Sequence, residues 1–144
     1  MQAFIGWILL ILGSILYIAQ IISSINFNLA QRLGIQESAE HSDLLLQRSE
    51  RYTAYWDLLT LLWLPLAGIL MIFNHELWPI MSLIGGAIYL DSSGREAVKN
   101  ISFRQEGVKT GTIKQQKIFF TSYIVMFILA IFVMAYSISH LTSS

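Results

Sequence analysis

Four long apolar runs, separated by two polar links and one short turn, constrain this chain more than any other feature. They cover about residues 3–25, 52–73, 77–92 and 118–138. An α-helix rises 1.5 Å per residue, so about 20 apolar residues cross the hydrocarbon of a bilayer. The first, second and fourth runs reach that length outright. The third has a shorter apolar core, 77–90, and adds Asp91 and Ser92 as part of an extra turn. Composition agrees: 55% of residues are hydrophobic and 12% charged, against roughly 25% charged in ordinary soluble domains. The expected fold is an all-α integral membrane protein: a bundle of four transmembrane helices, with residues 1–144 as one domain.

The links set the direction. Asn74-His75-Glu76 closes the second and third runs into an antiparallel hairpin, while 26–51 and 93–117 are long and polar. All nine Lys and Arg fall in those two links, and none in the short turn. The positive-inside rule then places both links in the cytoplasm and both termini on the non-cytoplasmic side. This is the pattern of a multi-pass protein of the cell inner membrane or an equivalent. No base precedes the first run and it is long for a signal sequence, so it is read as a permanent span. Residues 37–51 carry good helix formers that can run on into the second span. The second link, with Gly94, Gly107 and Gly111, is expected to be looser.

At about 100° per residue each span shows one small or polar stripe. In the first it is Gly6, Gly13, Tyr17, Gln20 and Ser24, and in the second Thr53, Asp57, Thr60, Leu64 and Gly68. The third has Ser82, Gly86, Tyr89 and Ser93, and the fourth Tyr123, Phe127, Ala130, Met134 and Ser137. Such stripes are the seams along which membrane helices pack. The polar members Gln20, Asp57, Thr60, Tyr89 and Tyr123 all fall in the cytoplasmic half of the expected topology. The interior should therefore be polar toward the cytoplasm and tight toward the outside, which points to a cavity open to the cytoplasm.

Asp57 has two readings. As an interfacial residue it balances Arg51, Arg48 or a Lys of the second link, within an aromatic belt of Tyr52, Tyr55 and Trp56. As an inward residue it binds a cation, a proton or a ligand amine; ionisable groups inside a membrane are functional candidates by default. The second reading makes Gln20, Asp57, Thr60, Tyr89 and Tyr123 a site for an ion or small amphipathic ligand, in a subunit of binding, transport or channel type that forms a homo-oligomer. A different class, a structural or assembly subunit of a larger membrane complex, would leave Asp57 silent.

Several chemistries find no support. The chain has no Cys, so disulfides and thiol chemistry are excluded. His41, His75 and His140 are dispersed and make no metal site, and 107–111 lacks the spacing of a phosphate loop. A formal net charge of zero argues against a nucleic-acid partner. Membrane lipids are the expected surroundings, and the bases of the second link can meet anionic headgroups as well as orient the spans.

Four spans in about this length, both termini outside, and Glu50-Arg51-Tyr52-Thr53-Ala54 opening the second span resemble the MAPEG family, membrane-associated proteins of eicosanoid and glutathione metabolism. The resemblance implies a trimer of four-helix protomers that binds lipid or acts as a glutathione transferase or isomerase. Glutathione would then be the cofactor, with Arg48 or Arg51 as its anionic-ligand contact. Of the family's Arg-x-x-x-Asn-x-x-Glu motif, Arg51 is present; Tyr55 and Leu58 stand at the Asn and Glu positions, with Asp57 one residue off.

Overall fold

A computed structural model describes residues 1–143, and the described chain is all-helical. The helices are α1 (Gln2–Ile25), α2 (Phe27–Arg32), α3 (Leu44–Thr60), α4 (Trp63–Ile72), α5 (Trp78–Gln105) and α6 (Ile113–Ser143). Three stretches are helical, long and apolar enough to cross a membrane: 2–25, 44–72 and 113–143. Their outward side chains agree, since Ile11, Ile128 and Phe132 are each about half or more exposed. That many apolar side chains on an outer surface belong in lipid.

One continuous apolar run in the sequence becomes two helices, α3 and α4. Pro65 is the reason. It has no N–H for the carbonyl of Leu61, and its ring crowds that carbonyl, so the helix breaks at 61–62. The freed Leu61 oxygen accepts a hydrogen bond from the Tyr89 hydroxyl at 3.2 Å. A second tyrosine, Tyr17 on α1, donates to the Leu58 carbonyl at 3.2 Å.

Small residues let the helices close on one another. A Cβ on Gly68 would lie 2.6 Å from the Gly6 carbonyl oxygen, and one on Gly13 would lie 2.8 Å from the Pro65 ring. These contacts hold α1 against α4. α5 packs on both α4 and α6, and α1 also packs on α3. The core between them holds Leu9, Leu64, Met71, Tyr89 and Val133. Toward one end of the molecule buried Trp78 stacks on Tyr136, with ring centroids 5.5 Å apart. The 73–77 turn nearby has Asn74 at φ 51°. Its neighbours close the helix end, with the His75 N–H donating to Leu70 O and the Asn74 N–H to Met71 O.

The two links depart from expectation in opposite directions, the first being less helical and the second more. Helix formation in the first begins at Leu44 rather than near Glu37, after the short α2 and a loop over 33–43. In the second, α5 runs through Gly94 to Gln105. A mid-helix glycine costs about 1 kcal/mol. The helix continues through it all the same, with Ser92, Ser93, Glu96 and Asn100 buried on either side of Gly94. The two links are then clasped together. The Asp43 N–H donates to Lys109 O, the Gly111 N–H to His41 O, and the Lys109 N–H to Asp43 Oδ2 at 2.8 Å.

Candidate functional site

The clasped links roof the end of the helices opposite Trp78, and beneath them lies a cavity of about 370 Å³. Five parts of the chain line it. α1 supplies Ile15, Leu16, Ala19 and Gln20, and the 33–43 loop supplies Gly34 to Glu37. α3 gives Glu50, Thr53 and Asp57; α5 gives Ser92, Ser93 and Glu96; α6 gives Ile118, Phe119, Ser122, Tyr123 and Met126. The acids come from α3, α5 and the 33–43 loop, while α1 and α6 supply mostly apolar side chains together with Gln20, Ser122 and Tyr123.

The helical repeat explains the polar side. Glu50, Thr53 and Asp57 are spaced by three and four residues and share one face of α3. On α5, Tyr89, Ser92, Ser93, Glu96 and Asn100 continue one stripe for more than two turns. The Lys99 ammonium joins the two helices. It lies 2.8 Å from Glu50 Oε1 and also contacts Glu96 Oε2. Its side chain is 17% exposed. Burial alone would push Lys99 down, but the two carboxylates outweigh burial and hold it above its ordinary value.

Four carboxylates therefore line the cavity, Glu37, Glu50, Asp57 and Glu96, and Lys99 is shared by two of them. Among the described residues, neither Glu37 nor Asp57 takes part in an ion pair. Burial, reinforced by the Glu50 carboxylate, pushes Glu37 up to about 7. Asp57 is 3% exposed, and its Oδ1 is buried with no hydrogen-bond partner. A buried acceptor left unmatched costs about 1–3 kcal/mol, more when charged.

The residues expected at the site separate. Gln20, Asp57 and Tyr123 line the cavity. The Tyr123 hydroxyl also accepts a hydrogen bond from Asn100 Nδ2 at 3.3 Å. Tyr89 is fully buried and its hydroxyl is used on Leu61, so it shapes the kink rather than the cavity. Thr60 donates to the Trp56 carbonyl and lines a separate outer groove with Asp91 and Arg95. Arg48 and Arg51 are exposed and lie outside the cavity. On α6 the buried line is Met126, Ala130, Val133 and Ser137, while Phe127 is 42% exposed.

Sequence reasoning missed Glu37, Glu50, Glu96 and Lys99. For three of them a signal existed: extending the stripes of α3 and α5 past the expected span ends reaches Glu50, Glu96 and the neighbouring Lys99. Glu37 sits in an irregular loop, where no periodicity points inward. Gln36 beside it is carried in by tertiary contact, donating from Nε2 to Ser23 Oγ at 3.1 Å. No family model matches the chain, and neither does any curated protein or any solved structure.

Proposed function

We propose that this chain is a four-span membrane protein whose cavity binds an ion or a small amphipathic ligand. In this reading the apolar half of α5 is the remaining span, paired with α4 through the turn at Asn74. Both termini lie on the non-cytoplasmic side, and the clasped links, which hold every Lys and Arg, lie in the cytoplasm. The cavity then sits at the cytoplasmic end of the spans. The protein acts as a subunit of a homo-oligomer, its broad apolar faces meeting lipid and other copies.

The observation that carries the reading is Asp57 itself, a 3% exposed carboxylate in no ion pair, among the residues that line a cavity large enough for a ligand. A carboxylate in the seam of a purely structural bundle would be matched by a donor or replaced by an apolar side chain, because burying it unpaired is costly. Native mass spectrometry of the protein in mild detergent tests this. A retained small mass is expected on the wild type and not on Asp57→Asn, and the same spectrum gives the subunit number. Identical ligand-free spectra for both proteins would contradict the proposal.

A further inference from the structure

The cavity's own chemistry narrows the ligand to one class. We infer that it takes a primary or secondary organic ammonium, an N–H-bearing cation on an apolar body, with Asp57 as its counter-ion. The assignment rests on the binding role proposed above and names what is bound.

Charge comes first. Four carboxylates share one buried ammonium at this site, and Lys99 is taken by Glu50 and Glu96. An anion would enter beside acids that already repel one another, the reason that burial and Glu50 raise Glu37. A cation restores the balance.

Size and lining separate an organic cation from a metal ion. A water molecule occupies about 30 Å³ of liquid, and a metal ion is of similar scale. The cavity is about 370 Å³, within the range of pockets that hold small organic molecules. Among the described residues no three His, Cys, Asp or Glu side chains gather as a metal's ligand set. Most of the wall is hydrocarbon or aromatic, and Ile15, Ile118, Phe119 and Met126 belong to it. That wall has no use for a hydrated ion. It suits the body of an amine, and Phe119 adds an aromatic ring to the lining.

Hydrogen bonding separates N–H-bearing amines from quaternary ones. The Asp57 carboxylate is among the groups that line the cavity and is in no ion pair. An alkylammonium donates to a carboxylate; a trimethylammonium does not. The rim gives the route: Ile15 and Ile118 line the cavity and are also 59% and 52% exposed on the outer apolar surface of α1 and α6. A ligand with an apolar body can therefore enter sideways from lipid as well as from the polar end.

Phenethylamine is a water-soluble probe of this class. Titration calorimetry on the full chain in nonionic detergent should show saturable binding. Asp57→Asn should weaken it by at least about tenfold, the size of a lost charge-assisted hydrogen bond. The N,N,N-trimethyl derivative should bind several-fold more weakly, and phenylpropionate should not bind. Ala19→Phe, which fills the cavity and leaves Asp57 intact, should abolish binding without loss of the helical circular dichroism signal, so that failure to fold is told apart from failure to bind. Equal affinity for the amine and its trimethyl derivative would overturn the assignment, as would unchanged affinity in Asp57→Asn. Saturable, Asp57-dependent binding of potassium or calcium ions with none of the amine would overturn the ammonium assignment and leave the binding role standing. No Asp57-dependent binding of any probe would overturn both.

Discussion

The hydroxyl of Tyr89 on α5 donates to the carbonyl of Leu61, the group that Pro65 deprives of its helical partner. Two residues far apart in sequence thus settle one buried polar group. The kink between α3 and α4 is held from outside the helix that contains it. In lipid such a carbonyl has no water to turn to.

Tyr89→Phe should therefore cost stability although the ring still fits. The expected loss is about 1 kcal/mol, the usual net worth of one such bond. Pro65→Ala restores the N–H that Leu61 lacks. In that background Tyr89→Phe should cost less, and a double-mutant cycle on thermal unfolding in detergent measures the difference. Equal costs in both backgrounds would mean that the bond does not serve the kink.

Lys99 is the second structural group at the site, and its loss should be severe. Lys99→Met leaves Glu50 and Glu96 facing each other with their cation gone. Breaking one partner out of a buried ion network costs about 3–5 kcal/mol. Adding Glu50→Gln and Glu96→Gln to Lys99→Met should recover most of that loss, since no uncompensated charge then remains. Thermal unfolding of the single and triple variants in the same detergent reads the two values.

Glu37 gives the 33–43 loop a pH response. Its carboxyl titrates near 7 in the folded protein, raised from an ordinary value of 4.5. The groups that act on it are Glu50 on α3 and Glu96 and Lys99 on α5. The folded state holds the proton more tightly, so its stability is full below about pH 4.5 and falls as pH rises through about 7, by about 3 kcal/mol at about 1.4 kcal/mol per unit. Hydrogen exchange of the loop amides should accelerate across that window beyond the intrinsic rate. Glu37→Gln should flatten the response and leave the loop closed at pH 8.

Much of the helical architecture is legible in the sequence because lipid imposes a simple rule. Apolar length alone marks about 3–25 and 118–138 as spans, inside the helices 2–25 and 113–143, and Asp57 reads as inward because it shares a face with Thr53 and Gly68. The polar roof is less legible. Gly94 and a charged composition read as a loose link, yet Ser93, Glu96 and Asn100 bury their stripe and carry α5 onward. Thr60 shares the Asp57 stripe on an ideal helix but faces another groove in the structure, next to the break that Pro65 causes. Tyr89 looks like a site residue until the orphaned carbonyl it satisfies is seen. These outcomes depend on partners from other parts of the chain, which periodicity within one helix does not register.

A cavity beneath the clasped links, open to the cytoplasm, is the central claim. The chain has no cysteine, so single cysteines can be placed without any prior removal. Gln20→Cys, Thr53→Cys and Ser122→Cys line the cavity, whereas Ser82→Cys and Ser137→Cys lie fully buried in the helix seams. A membrane-impermeant thiol reagent applied to oriented vesicles is the direct measurement. Rapid labelling at 20, 53 and 122 from the cytoplasmic side, with 82 and 137 protected, is the result expected. Equal protection at all five positions would contradict the account.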